Sequence, residues 1–180
     1  MLDWFKKDKK TTKKDTLIFL KELRLPKMIL ELFIESDIAK ESPLSKYFRF
    51  PFELYDMDKK NQEACHMNIF IPILCDMNFY QIYAYDKIRK GFFTYDIEAP
   101  NKDWRNDAPR YAWEGIFILD ILFWWECEIP NEEIIAWGEM LNLKHTKEIL
   151  WSIENELENS KPDTTRGWEK RIIRKFKFDQ

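Results

Sequence analysis

Leu17, Ile18 and Leu20 open the first apolar stretch of the chain, which closes before Pro26, a residue that disfavours helix at its predecessor. From Pro26 to Ser36 the apolar residues Met28, Ile29, Leu32 and Phe33 recur at i, i+1, i+4 and i+5, the spacing of one helical face. The N-terminal part therefore predicts two short helices or one bent helix. The centre changes period. Tyr47–Tyr55 alternates rings with polar residues around Pro51, which marks an edge or a bulge. Asn68–Leu74, Asn78–Tyr85 and Gly91–Ile97 are short runs rich in β-branched and aromatic residues, and Asp86–Lys90 before Gly91 has hairpin length. These runs predict an antiparallel meander of three or four strands.

After the polar loop Pro100–Pro109 the pattern is helical. Arg110–Glu128 is apolar on nearly every face and reads as a central buried helix. Pro130 and Asn131 start the next helix, with Glu132 and Glu133 at its positive end and Ile134, Ile135, Trp137, Met140 and Leu141 on its apolar face. A third starts near Thr146, expected as its N-cap, and carries Ile149, Leu150, Ile153 and Leu157 as a stripe. Helices, meander, helices is the order of an α+β fold, read as a single domain over residues 16–165. Residues 1–15 and 166–180 read as basic tails, the first flexible, the second able to add a short helix.

Charge sharpens this picture. The net charge of −3 hides basic ends around an acidic centre. Residues 110–159 set eleven carboxylates against Arg110, Lys144 and Lys147. An acidic helical face repels nucleic acid and accelerates association with basic proteins. The basic ends leave open a nucleic-acid or membrane-surface adaptor. No 7–15-residue apolar run follows the lysines of the N-terminus, and Gly115–Trp125 is too short to span a bilayer, so a cytoplasmic protein is expected. Three cysteines without CxxC spacing fit reduced thiols.

Candidate chemistry is sparse. Cys65, His66 and Cys75 match no zinc spacing, and Asp56 and Asp58 lack the rest of a calcium loop, so neither metal nor cofactor is expected. With four glycines in 180 residues there is no phosphate-cradling loop and no GxSxG elbow. The enzymatic alternative, a hydrolase or carbohydrate-active enzyme, rests on Asp76, Asp96 and Glu98 converging at the rim of the sheet. Tryptophan is the richer signal. Trp113, Trp124 and Trp125 belong to the expected core. Trp104, in a polar loop, and Trp151, off the stripe of its helix, are placed as partner-binding rings. Glu126, Glu128, Glu132, Glu133, Glu139, Glu154 and Glu158 supply the acidic part of the expected surface.

The segment Ile71–Glu98 resembles the central sheet of the SUKH superfamily, through Ile71-Pro72-Ile73, Asp76, Gly91 and Asp96 with Glu98. The resemblance implies a bacterial immunity protein: a small, non-enzymatic cytoplasmic protein that binds and neutralises a toxin. The residues themselves point the same way, to a protein-binding domain whose partner is basic, such as a nuclease toxin.

Overall fold

A computed structural model describes residues 10–97, 109–157 and 165–179. The fold is α+β, with helices on both sequence flanks of a four-stranded antiparallel sheet. The chain divides into two compact units, Met1–Ala108 and Pro109–Gln180.

In the first unit, helix α1 (Lys13–Glu22) starts at Thr12, whose hydroxyl oxygen accepts from the Asp15 amide while its own proton goes to the Asp15 carboxylate, 2.8 Å away. This reciprocal cap satisfies an otherwise orphaned helix amide. Residues 11–15 are thus anchored rather than a tail: Lys13 lies 3.8 Å above the Phe50 ring and pairs with Glu35 at 2.8 Å. Helix α2 (Lys27–Ile34) ends on Glu35 at φ 58°, and Ser36 then caps α3 (Asp37–Glu41). The expected strand over Tyr47–Tyr55 is cut to β1 (Phe48–Arg49), and Phe52–Asp56 forms helix α4 instead. Pro51 opens that helix without needing an amide donor, and the turn brings Tyr55 back onto Phe50, ring centroids 4.9 Å apart. Helix α5 (Lys59–Ala64), capped by Asp58, leads into the meander.

The sheet runs β1-β2-β3-β4, with β2 (Phe70–Asp76), β3 (Gln81–Asp86) and β4 (Gly91–Asp96) all antiparallel. Strand β3 starts later than the run Asn78–Tyr85 suggests. The Asp76 carboxylate takes the amides of Tyr80 and Gln81, at 2.7 and 3.0 Å, and holds residues 77–80 in a turn. Both faces of the sheet are covered. Phe48 meets Tyr83, Phe70 meets Phe93, and Tyr85 meets Phe19 of α1.

In the second unit the expected long central helix begins as a 3-10 turn (Trp113–Phe117) and becomes α6 only over Ile118–Glu126. Within this turn Gly115 packs against Tyr111 and Phe178 with no room for a side chain: a β-carbon there would lie 2.8 Å from Tyr111 Cβ and 2.9 Å from Phe178 Cβ. Helices α7 (Asn131–Met140) and α8 (Thr146–Ser152) pack on α6, with Trp124 and Trp137 perpendicular at 5.2 Å. Thr146 is not the N-cap of α8. It is buried inside the first turn, where its hydroxyl donates to the Leu143 carbonyl at 2.9 Å. A π-helical turn, Ile153–Leu157, extends α8.

The C-terminal basic segment is not a loose tail either. Thr165–Phe176 is helix α9, which buries Trp168, Ile172 and Ile173, and Asp179 bridges back to Tyr111. Trp168 Nε1 donates to Ser152 Oγ at 3.0 Å inside this core. Among the described residues, no helix is long and apolar enough to cross a membrane.

Candidate protein-binding surfaces

The acidic residues singled out by sequence are placed by the turn between α6 and α7. Glu126 is the last residue of α6, and Glu128 follows in the left-handed region at φ 57°. Pro130 then starts α7, so Glu132 and Glu133 stand exposed in its first turn, where the helix dipole favours carboxylates. Asn131 links this corner to α8: its amide donates to Glu154 Oε1 at 2.7 Å. Trp125, Glu126, Glu128, Ile129, Pro130 and Asn131 line a shallow open depression at the same corner. Five carboxylates from three segments thus share one end of the helical unit.

Glu139 stands apart from this group. It lies roughly 10 Å further along α7, beside Lys144 and Lys147 in a second shallow depression. Lysines flanking a glutamate cancel much of its local field. Trp151 is 54% exposed, one helical turn before Glu154, with Lys175 Nζ 5.8 Å from its ring. Of the core tryptophans, Trp124 is buried, whereas Trp113 is half-buried and donates from Nε1 to the Leu141 carbonyl at 2.8 Å. Trp104, Glu98 and Glu158 lie outside the described residues.

Of the rim carboxylates, Asp76 and Asp96 fall in one row of the sheet. Gln81 of β3 faces Asp96 of β4, and Asp76 sits one residue beyond the pair Cys75–Ile82, level with Gln81 on its other side. Oδ1 of the Asp76 carboxylate accepts both turn amides described above, which gives this oxygen a structural use. Among the described residues, no group of three His, Cys, Asp or Glu side chains is placed to hold a metal ion. Burial pushes the Cys75 thiol up to about 12, and Cys75 sits inside the sheet against the Arg49 carbonyl. A thiol so raised is a poor nucleophile.

A further surface in the first unit was not expected from sequence. Arg49 is gripped by Glu53 through both guanidinium nitrogens and lies 5.0 Å from the Phe52 ring and 5.5 Å from the Phe79 ring. Its Nε also donates to the Met77 carbonyl. Phe52, Met77 and Tyr80 are each about half exposed around it. Phe79 adopts φ 61°, a costly conformation for a bulky residue, imposed by the Asp76 turn. An arginine held rigid between rings is the composition of an interaction hot spot. The sequence signal was faint, because residues 49–53 and 76–80 meet only through the short β1–β2 pairing.

Comparison with known proteins finds no matching family model, no matching curated protein and no matching solved structure.

Proposed function

We propose that the chain is a non-enzymatic, cytoplasmic protein-binding module, and specifically a bacterial immunity protein that neutralises a basic toxin such as a nuclease. The observation that carries this reading is the Asn131–Glu154 hydrogen bond, which sets Glu154, one helical turn from the exposed Trp151, beside the α6–α7 turn that already presents Glu126, Glu128, Glu132 and Glu133. Nuclease toxins carry cationic substrate grooves, and a preformed acidic corner occupies such a groove by mimicking polyanionic charge. Trp151 adds a large, rigid ring at the edge of the corner, where dry contact area contributes most of an interface's energy. The use of Asp76 Oδ1 as a turn-former weighs against the hydrolase alternative, which needs that carboxylate among its three groups.

The test is co-purification of a stoichiometric basic protein from the native organism, followed by association kinetics with that partner. Reversing charge at Glu126, Glu128 and Glu154 slows association about tenfold or more at low salt and flattens its salt dependence. Unchanged kinetics in this variant overturn the acidic-corner mechanism. Absence of any stoichiometric partner overturns the binding module.

A further inference from the structure

Helix α9 is the most strongly two-faced element of the second unit. Trp168, Ile172 and Ile173 fix it to the core, and the opposite side exposes Arg166, Lys170, Arg171, Arg174, Lys175 and, just past the helix, Lys177. Arg166, Lys170 and Arg174 recur at i, i+4 and i+8, which stacks them in one row with steps of about 6 Å along the axis, and Lys177 follows one residue past the helix. Arg171 and Lys175 form an adjacent row. Carboxylates border this face: Glu169 is half-buried, with its carboxyl raised chiefly by burial against the opposing pull of Arg166 and Lys170, Glu156 lies 3.7 Å from Lys175, and Asp179 is exposed just beyond Lys177.

At the C-terminal end of the basic rows stands the exposed Trp151 ring, with Lys175 5.8 Å from its centroid. We infer that the basic face of α9, ending at Trp151, binds single-stranded nucleic acid. The row of cations tracks the phosphate backbone, and the tryptophan stacks a base.

Three physical points favour this occupant over the alternatives. A membrane surface would be held through charge and the single Trp151 ring, because the apolar side of α9 is already buried in the protein. A duplex offers phosphates but keeps its bases stacked, and leaves Trp151 without a use. An arginine-containing row with an aromatic platform at its end is the arrangement by which single strands are held without sequence preference. Salt screens the more distant carboxylates of the acidic corner, but Glu154 stands one helical turn from Trp151, within a Debye length of about 8 Å at physiological salt, and opposes binding at that end. The inference does not need the acidic corner, although Trp151 is shared with the proposed immunity role; the basic row is its own.

The probe is a fluorescein-labelled oligouridylate of about 20 nucleotides, and the readout is anisotropy with the full chain at about 50 to 200 mM salt. Binding is expected to weaken steeply with salt. The triple variant Arg166→Gln, Lys170→Gln and Arg174→Gln, all at exposed positions, lowers affinity at least tenfold. It also reduces the slope of log affinity against log salt by about 2, since each single-strand phosphate contact contributes about 0.7. Trp151→Ala lowers affinity about tenfold while leaving that slope unchanged.

Charge reversal at Glu126, Glu128 and Glu154 leaves oligouridylate binding intact or tightens it, which separates this site from the acidic corner. Three outcomes overturn the inference: no anisotropy change with the wild-type chain, equal binding by the triple variant, or binding to phosphatidylserine vesicles without binding to the oligonucleotide. Should the triple variant lose its far-UV dichroism, Lys170→Gln alone carries the test, with a loss of a few-fold and a slope reduction of about 0.7 expected; no change in either overturns it.

Discussion

Gly138 of α7 and Thr146 of α8 are in contact so close that a β-carbon on Gly138 would lie 2.2 Å from Thr146 Oγ1 and 2.9 Å from Thr146 Cβ. Thr146 has no room to yield, because its hydroxyl is tied to the Leu143 carbonyl and its side chain is buried. The absence of a side chain at 138 is what lets the two helices meet at this point. Gly138→Ala should therefore destabilise the protein by about 1–3 kcal/mol, overriding the roughly 1 kcal/mol that alanine gains in helix propensity. Urea denaturation reads the shift in midpoint. In a Thr146→Ala background the same substitution should cost less, since the Oγ1 and Cγ2 contacts are gone.

Gln62 is a buried junction of the first unit. Its Oε1 accepts from the Thr11 amide at 2.9 Å, and its Nε2 donates toward the carbonyls of Thr11, Leu54 and Tyr55 at 3.1–3.3 Å. Gln62→Ala strands a buried amide and should cost at least about 2 kcal/mol. Gln62→Glu is the sharper probe. It turns a donor toward three carbonyl oxygens into an acceptor, so its deficit relative to wild type should be larger at pH 7 than near pH 4, where the new carboxyl regains a proton. Equal deficits at both pH values would contradict the assigned amide orientation.

The cysteines should react in order of exposure. Cys127 is exposed at the C-terminal end of α6, Cys65 is half-buried, and Cys75 is enclosed with its thiol raised to about 12 by burial. Iodoacetamide on the folded protein should label Cys127 first and leave Cys75 unmodified until denaturant is added, as followed by peptide mass spectrometry. Early labelling of Cys75 would show that the sheet opens locally.

Lys87, in the turn between β3 and β4, is held down to about 8 by burial. A lysine depressed in the folded state binds fewer protons than in the unfolded chain between about pH 8 and pH 10.5, so its effect is to make stability rise with pH across that window. Tyrosines and cysteines with raised values act in the opposite direction, so the comparison must be differential. Lys87→Met should be more stable than wild type at pH 7, and the advantage should shrink as pH climbs past 8. A constant difference from pH 7 to pH 10 would refute this.

Much of the fold was legible in the sequence. The β-branched and aromatic runs from Phe70 to Asp96 became adjacent antiparallel strands, and the apolar spacing of Met28–Phe33 became a helix face; of the run Ile134–Leu141, Ile134 and Trp137 are buried on α7, Met140 is exposed and Leu141 lies just past the helix. Local periodicity carries that information because each run fills a face of its own element. Boundaries were lost where a contact distant in sequence or a side-chain hydrogen bond intervened. Asp76 shortened β3 by capping a turn, and Pro51 with the Phe50–Tyr55 ring contact turned an alternating run into helix α4.

The candidate surfaces divide the same way. The sequence alone determined how much acidic and basic charge the chain carries, which segments hold it and that glycine is too scarce for phosphate loops. Only tertiary structure separated Glu139 from the acidic corner, joined Glu154 to Asn131 and assembled Arg49 with Phe52 and Phe79. It also turned a stretch that reads as a basic tail into an anchored helix, because Trp168, Ile172 and Ile173 find a core to bury in. Charge and periodicity are properties of residues in order along the chain. A surface depends on which residues packing brings side by side, and the four-residue reach of a helical pattern does not extend across folds of the chain.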